Sequence, residues 1–271
     1  MSEPRAVEEQ YLREQNMNMR VIINRSHAHM RFMDFRVGNY DAKRKALDRT
    51  ARIEGLRKVF TLVEKQDSKN WRSVGFTREG VYPAFFRTAD AYAMCRHYDE
   101  NGEPLPAQTV KREDREYPKV ALRKPGELRV TEIKDEERKE AVMEQFNGHF
   151  RSLPFGRASS PDLLLKASVR KKEGWACAEI DDSYGHATVG FYPTPAAARG
   201  PHLGAQALMS LLETLDEKKV NNYFGLSPAD DAHSNAVFAQ LDFRVTGRLA
   251  GHLQTDEGAS TALIWHRRAV R

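Results

Sequence analysis

The chain has 271 residues, 40% of them hydrophobic and 30% charged, and it can bury a sizeable core. Its 43 Lys and Arg exceed its 38 Asp and Glu, and the resulting net charge of +5 is spread along the chain. Because nucleic-acid binding needs a concentrated basic face, we expect no nucleic-acid partner. A signal core and a run of about 18 apolar residues are both absent, so we expect no membrane contact. Cys95 and Cys177 form neither a CxxC pair nor a disulfide framework, which indicates a reducing, cytoplasmic location.

The N-terminal part predicts short alternating strands and helices. Residues 1–18 are polar and predict a flexible N-terminus. Apolar residues recur at helical spacing between Asp41 and Arg57, and a short helix is expected at Trp71–Val74. The β-prone runs are 19–24, 30–35, 59–63, 81–87 and 92–98. The stretch 99–127 is rich in Pro and charge and lacks periodicity, which predicts a linker to a second domain over 128–271.

The second domain repeats part of this order. A strand-like run at 175–180 precedes a β-prone run from His186, a helix from Leu203 and an apolar run at 223–226. Both halves then continue with a short helix and two strands. The first half is either a truncated copy of the second, without its phosphate loop and long helix, or a chance recurrence of a common order.

The segment between the β-prone run from His186 and the helix from Leu203 predicts an anion site. It reads Tyr192-Pro-Thr-Pro-Ala-Ala-Ala-Arg199-Gly-Pro-His202-Leu-Gly204. A strand that leads into a helix through such a loop leaves the first backbone N–H groups of the helix unpaired. Together with the helix dipole, these groups favour an anion such as a pyrophosphate.

Ionisable side chains also cluster around a turn just before this segment. Glu179, the pair at 181–182 and His186 bracket the turn Ser183-Tyr-Gly, and Glu179 and His186 are candidates for a general base. Polar clusters of this kind more often serve the hairpin turn itself, and that interpretation stays open beside the catalytic one. The His-Ala-His run at 27–29 lacks partner ligands, and we predict no metal site.

The motif Arg199-Gly-Pro-His202-Leu-Gly204 and the elements after it resemble the second half of the GNAT acetyltransferases, which acetylate amines with acetyl-CoA. The family motif is Arg/Gln-x-x-Gly-x-Gly/Ala; Gly204 matches its last position, and His202 stands at its first Gly. The resemblance implies an α/β fold with a mixed, mostly antiparallel sheet flanked by helices, preceded by a smaller related half-domain. It also implies acetyl-CoA as the cofactor. The implied cofactor-binding residues are Phe191, Arg199, Gly200, His202, Leu203, Gly204, Ala205, Asn235 and Phe238.

The resemblance leaves alternative roles open at two positions, Asn235 and Phe238. Asn235 would bind the cofactor arm or, equally, cap the N-terminus of its helix. In many GNAT enzymes a Tyr protonates the leaving thiolate, and here that position is Phe238, which cannot donate a proton. Tyr192, Tyr223, a histidine or a water would then take the role. The resulting catalytic set is Glu179, His186 and Tyr192.

The N-terminal region resembles the β-lysine N-acetyltransferases. The resemblance lies in Phe60-Thr-Leu-Val, in Gly75-Phe-Thr-Arg-Glu79-Gly-Val-Tyr82-Pro-Ala-Phe-Phe86 and in Asp90-Ala-Tyr-Ala-Met94. It implies a half-domain over 19–98 ahead of the second domain. Because this half lacks a phosphate cradle but carries an aromatic, acid-containing segment, we expect it to close over the substrate, with Glu79 on an ammonium group and Tyr82 or Phe86 on an aliphatic arm. The expected substrate is the amine of an amino-acid-like small molecule. The alternatives are a catalytically degenerate binding module and an enzyme that uses another acyl donor.

Overall fold

The protein is described by a computed structural model that covers residues 7–14, 17–106, 117, 122, 126–145, 161–192, 202–255 and 258–269. The chain divides into two compact units. The first comprises Met1–Arg112 and Gly247–Ala262, and the second comprises Glu113–Thr246 and Leu263–Arg271. The C-terminal segment Gly247–Ala262 thus belongs with the N-terminal unit, whereas the sequence predicts a single break in the linker.

The first unit is a mostly antiparallel sheet with two helices in the described ranges. Its strands lie in the order β1-β2-β3-β4-β6-β5, and β3 and β4 are the parallel pair. A pair between Gly80 and Gly247 extends this sheet. The elements are β1 (Val7–Glu14), β2 (Met17–Asn24), β3 (His29–Asp34), α1 (Tyr40–Glu54), β4 (Lys58–Val63), α2 (Lys65–Ser73), β5 (Thr77–Phe86) and β6 (Ala89–His97).

These elements follow from the sequence pattern with one difference. In α1 the buried residues Lys43, Leu47 and Ala51 recur every fourth position, which places them on one helix face and confirms the predicted helix. The strands predicted at 59–63 and 92–98 are confirmed as β4 and β6. Residues 7–14 form β1 inside the segment predicted to be flexible. The strand is polar because, among the strands that the structure describes, it pairs with β2 alone and lies at the edge of the sheet.

The second unit is also a mixed sheet, in the order β13-β11-β10-β9-β8-β7, with β10 and β11 parallel. None of the helices in the described ranges combines the length and apolar character needed to span a bilayer. The elements are β7 (Arg129–Glu132), α3 (Glu136–Gln145), β8 (Leu163–Val169), β9 (Lys172–Asp181), β10 (His186–Tyr192), α4 (Leu203–Glu217), β11 (Asn222–Pro228) and α5 (Ala232–Gln240). The strands β12 (Arg244–Thr255) and β13 (Gly258–Arg268) each contain residues of both units, because Gly247–Ala262 belongs to the first.

The sheet of the second unit is covered on both faces. On one face, here called the α4 face, buried residues of α4 and α5 pack on alternate strand residues that include Ala187, Val189 and Phe191. On the other, the α3 face, Val142 packs in a smaller cluster with Trp175, Cys177 and Tyr192. Because neighbouring strand residues point to opposite faces, this assignment fixes the face of every other residue in β9 and β10.

The two units repeat one order of elements. The series β2, β3, α1, β4, α2, β5, β6 corresponds to β9, β10, α4, β11, α5, β12, β13. In each series a helix of 15 residues joins the parallel strands, and a helix of nine residues follows. The first unit therefore contains the long helix that the sequence interpretation assigned to the second half alone.

The start of α4 lies against the sheet without space for side chains. A Cβ atom built on Gly174 of β9 would lie 2.2 Å from the Gly204 nitrogen and 2.3 Å from the Leu203 carbonyl carbon. A Cβ on Gly204 would lie 2.1 Å from the Tyr192 carbonyl oxygen. Both obstacles are main-chain atoms, which cannot move aside as a side chain does. Glycine at these two positions is what allows α4 to begin beside the end of β10.

We expect Gly174→Ala to lower the free energy of unfolding by about 3 kcal/mol, the upper end of the usual cost of overpacking. Its methyl group would displace the first turn of α4. The matched control is Gly126→Ala, which has no atom of the described residues within 4 Å of the new Cβ and should change stability by less than about 0.5 kcal/mol. Urea unfolding of both variants checks this, and equal midpoints would contradict the close contact.

Candidate functional site

The parallel ladder between β10 and β11 stops before either strand ends. Its last pair is Val189↔Gly225. Each strand continues for three residues, Gly190–Tyr192 in β10 and Leu226–Pro228 in β11, which we together call the fork. The β10 arm keeps its antiparallel pairs with β9 to its last residue. The main-chain groups of the two fork arms are therefore not paired with each other in the β10–β11 ladder.

The helix α4 begins at the end of the β10 arm. Gly204 approaches the Tyr192 carbonyl, and the N-cap residue His202 makes no side-chain capping hydrogen bond. The first turn of α4 carries no acidic residue, so no carboxylate of that turn neutralises the positive end of the helix. The side chains of Leu203 and Ala205 are buried in the core, and their main chains alone could contact a ligand. Arg199 and Gly200 lie outside the described residues.

Two imidazoles meet beside this helix end. The rings of His202 and His233 have centroids 4.7 Å apart and are inclined by 37°. Burial and the neighbouring His233 lower the pKa of His202. His233 is the second residue of α5, whose N-cap is Asp231. The alternative prediction that Asn235 is the cap is therefore wrong, because the Asp231 carboxylate accepts from the His233 and Ser234 N–H groups.

An aromatic side chain fills the α4 face of the fork. The Phe238 ring packs so closely on β11 that a Cβ on Gly225 would lie 2.6 and 2.7 Å from two of its carbons. The same ring contacts Phe191 in the β10 arm at a centroid distance of 5.4 Å and stacks on Trp265 at 5.5 Å. Phe191 and Phe238 thus meet at the fork, and contact of either ring with a cofactor stays a prediction.

The Asn235 side chain is engaged inside the protein. Its Oδ1 accepts a hydrogen bond of 2.6 Å from the Ser227 hydroxyl, and its Nδ2 donates to the carbonyls of Pro228 and Ala229, each at 3.2 Å. The Ser227 oxygen in turn accepts from the Trp265 indole N–H at 2.7 Å. Both ends of the amide therefore tie α5 to the end of β11. A hydrogen bond from Asn235 to a cofactor stays a prediction.

The three predicted catalytic residues all lie on the α3 face. Glu179 pairs with Thr188, and His186 pairs with Asp181. Glu179 therefore lies two residues from the partner of His186, on the same face of the sheet. Tyr192 is six residues beyond His186 in the same strand, which corresponds to about 20 Å. Glu179 and His186 could therefore act on one group, whereas Tyr192 belongs to the far end of the fork.

Tyr223, considered above as a proton donor, lies on the α4 face. It is fully buried, and its hydroxyl donates to the carboxylate of Asp216 near the end of α4. Burial, followed by the neighbouring Asp216, raises the pKa of Tyr223. The prediction that Tyr223 replaces the missing hydroxyl of Phe238 is corrected by this contact, because its proton is held at the opposite end of β11 from the fork.

One residue on the α3 face was missed by the sequence interpretation. His266 of β13 stacks on Phe224 of β11, with centroids 5.2 Å apart and planes 28° apart, and its Nε2 lies 3.1 Å from the Asn222 Oδ1. Phe224 is paired with Thr188, which faces Glu179. The side chains of four residues on neighbouring strands thus form a row next to the fork: Glu179, Thr188, Phe224 and His266. No local pattern around His266 reveals this, since it depends on β13 lying beside β11.

The predicted substrate residues of the first unit occupy one sheet and are largely buried. Glu79, at a β-bulge of β5, accepts from the Lys58 ammonium at 2.6 Å and from the Ala250 N–H at 3.1 Å, and its other oxygen contacts His97 Nε2 at 2.5 Å. Tyr82 is 1% exposed, and burial raises its pKa. Phe86 is half-buried at the hairpin end. The Glu79 carboxylate thus already has an ammonium partner within the protein.

Buried imidazoles surround this ion pair. The His29 ring lies 4.7 Å from His252 and 5.8 Å from His27, and its Nε2 is 3.1 Å from the Gly251 carbonyl oxygen. Burial, together with the charge of Lys58, lowers the pKa of His29 to about 3. Among the residues that the structure describes, no group of His, Cys, Asp or Glu is arranged to hold a metal ion.

The electrostatics of Glu79 and His29 make the first unit sensitive to acid. Burial raises the pKa of Glu79, but the charges and hydrogen bonds of Lys58 and His97 outweigh it and bring the value to about 2. Both pKa values are therefore depressed in the folded state. The stability contributed by His29 is complete above its ordinary value of 6.5 and is lost as the pH falls toward 3. That of Glu79 is complete above 4.5 and is lost toward pH 2.

We expect Glu79→Gln to lower the free energy of unfolding at pH 7 by about 3–5 kcal/mol, because it leaves the Lys58 ammonium buried without a counter-charge. Glu213→Gln, at an exposed site on α4, is the control and should change little. Chemical unfolding at pH 7 and pH 4 measures both. A Glu79→Gln variant as stable as the control would show that the pair contributes nothing to the fold.

Comparisons with known proteins found partial similarities to solved structures. The ribosomal-protein-S18-alanine N-acetyltransferase from Escherichia coli is 16% identical, with 53% of this chain and 95% of that chain covered and a TM-score of 0.42. A putative acetyltransferase from Salmonella typhimurium, solved with acetyl-CoA, is 14% identical over 54% and 96%, with a TM-score of 0.41. An acetyltransferase of the GNAT family from Streptococcus pneumoniae is 11% identical over 53% and 100%, with a TM-score of 0.42. No protein-family model and no curated protein matches the chain.

Proposed function

We propose that the protein is an acetyl-CoA-dependent N-acetyltransferase that acts on the amine of an amino-acid-like small molecule. The observation that carries the proposal is the fork between β10 and β11 with the start of α4 at its end, where the His202 side chain makes no capping hydrogen bond. A separating pair of parallel strands offers main-chain donors and acceptors to an extended ligand. The helix start offers N–H groups to a phosphate at the end of that ligand. An acyl-CoA has this combination of an amide-containing arm and a pyrophosphate.

The reacting thioester would lie at the base of the fork. The carbonyl carbon becomes tetrahedral when the amine attacks, and the oxygen gains negative charge. An N–H group of the β10 arm beyond Val189 could stabilise that charge, since it has left the ladder with β11. The fixed strand supplies this donor without reorganisation, because β10 remains paired with β9 along its whole length.

The amine would approach from the α3 face. The α4 face of the fork is filled by Phe191 and Phe238, whereas the α3 face carries Glu179, His186 and Thr188 next to the last paired residues. An amine of pKa about 10.4 is charged at neutral pH and attacks only after it loses a proton. Glu179 supports binding of the cationic amine in this arrangement, because the residue pairs with Thr188, one residue before the ladder end.

The leaving thiolate has no proton donor at position 238. The Phe238 ring lies at the fork but bears no hydroxyl, so a water would supply the proton. Tyr192 lies three residues, or about 10 Å, beyond the base of the fork, and would reach the sulfur only through water. A role for Glu79 on the substrate would require the substrate to displace Lys58 from a buried ion pair. We therefore place the proposed amine site in the second unit. A β-lysine-like substrate is the more specific form of the proposal.

A second function is favoured by two of the same residues. Phe238 removes the usual proton donor, and Asn235 is held by three internal hydrogen bonds. Both features fit a fork that binds an acyl-CoA without turning it over. Release of free thiol from acetyl-CoA with a panel of primary amines separates the two functions. Binding of CoA without any thiol release would favour the binding module.

We expect His202→Glu to weaken CoA binding at least ten-fold while preserving or raising thermal stability. A carboxylate at the N-cap repels a pyrophosphate but stabilises the helix dipole, so the two effects have opposite signs. His202→Gln, neutral and of similar size, should retain affinity within about three-fold. Calorimetric titration with CoA and thermal unfolding without ligand test this. Equal affinity in the Glu and Gln variants would place the pyrophosphate elsewhere.

A further inference from the structure

The first strand of the protein is a long and regular sheet edge. All eight residues of β1 pair with β2 in one unbroken antiparallel register, from Val7↔Asn24 to Glu14↔Met17. The strand contains no Pro, Gly or Lys and no β-bulge, which are among the features that protect an edge strand from further pairing. Among the strands that the structure describes, none lies on its other side. The main chain of β1 can therefore pair with one more strand over its whole length.

Three side chains of β1 lie on the face of the sheet that points away from the helices of the first unit. Leu12 packs against the core that contains residues of α1 and α2. Because successive strand residues point to opposite faces, Glu9, Tyr11 and Arg13 lie on the other face. Tyr11 is 50% exposed, and the Arg13 guanidinium carbon lies 4.9 Å from the centre of its ring. The Glu9 side chain contacts Arg20 of β2 and is still 41% exposed.

The charges on this face complement an inverted copy of the same strand. Charged residues discourage pairing at a sheet edge unless the incoming strand offers opposite charges at the matching positions. Glu9 and Arg13 lie two residues to either side of Tyr11. When two β1 strands pair antiparallel about Tyr11, each Glu9 therefore lies opposite Arg13 of the other copy, and the two Tyr11 side chains lie opposite each other. A parallel pair in register would instead place like charges side by side.

The helix-covered face of the same strand pair tolerates this register. There Gln10 lies opposite Leu12 of the other copy, which brings no charges together. Glu8 lies opposite Glu14 at each end of the pair. Glu8 is already held by Arg25 within its own copy, at 2.8 Å, which reduces the repulsion between these terminal positions. The two Glu9–Arg13 pairs flank the centre of the pair, where the strands are held most closely in register.

We propose that two copies of this chain form a dimer by antiparallel pairing of their β1 strands about Tyr11. Main-chain hydrogen bonds join the two edges, the Glu9–Arg13 pairs set the register, and the two Tyr11 rings meet at the twofold axis. The interface belongs to the first unit and does not depend on the proposed acetyltransferase activity. Because one pair of strands buries less area than a standard interface, we expect a dimer dissociation constant of about 1–100 μM.

The experiment measures the dimer dissociation constant of the full chain by sedimentation velocity over about 1–200 μM. The parent protein should change from monomer to dimer within this range. Glu9→Arg and Arg13→Glu each place two like-charged pairs in the interface, so each variant alone should dimerise at least about ten-fold more weakly. An equimolar mixture of the two variants should recover the affinity of the parent, because every reversed charge then lies opposite an opposite charge. The double variant Glu9→Arg/Arg13→Glu should recover it for the same reason.

The double variant also controls for damage within one copy, since it loses the contact between Glu9 and Arg20 just as Glu9→Arg does. Tyr11→Lys should weaken the dimer at least about ten-fold by placing two charges at the axis, whereas Tyr11→Phe should keep its affinity within about three-fold. A parent protein that stays a monomer at about 200 μM overturns the proposal. So does a dimer of equal affinity in every variant, since it uses another surface. Single variants that weaken the dimer without recovery in the mixture overturn the pairing of Glu9 with Arg13, and the proposed register with it.

Discussion

The approach of α4 to the sheet is the contact on which the rest of the second unit depends. Main-chain atoms of Leu203 and Gly204 touch β9 at Gly174 and β10 at Tyr192, with no side chain between them. This contact places the start of α4 at the end of the β10 arm, so the helix dipole and the open strand edges face one region. Larger residues at Gly174 or Gly204 would move the helix start away and separate the two features. The anion site and the fork are thus consequences of a packing constraint.

The first unit has the same topology, but there side chains of the protein itself occupy the start of the helix α1. Its parallel ladder also stops early, at Arg31↔Phe60, while both strands continue to Asp34 and Val63. There the fully buried Lys43 of α1 donates to Asp34 at 2.6 Å and to the Arg36 carbonyl. The connection from strand to helix has five residues, against ten in the second unit. An internal ammonium and carboxylate hold this loop, and an anionic ligand would have to displace them.

The sequence predicts the elements of both units better than their arrangement. β4 and α1 are recovered because apolar residues recur at strand and helix spacing, whereas the polar edge strand β1 carries no such signal. Glu179 and His186 could be identified because they flank one turn, and a hairpin brings them onto one face. His266 could not, since its neighbours belong to strands far away in the chain. Glu79 was assigned to a substrate because its partner, Lys58, comes from a strand whose pairing no local pattern encodes.

The width of the fork is set by the core of the protein. The Trp265 indole bonds to Ser227, Ser227 bonds to Asn235, and Phe238 stacks on Trp265, so β11, α5 and β13 are held together at the end of the ladder. These residues surround the β11 arm on the α4 face and hold it in place beside the fork. A site fixed in this way loses little conformational freedom when it binds, because its main-chain groups are already in place. The same rigidity explains how a phenyl ring can occupy position 238. Its packing against Gly225 contributes to the shape of the fork, and the proton that a hydroxyl would have supplied must come from the β10 arm or from solvent.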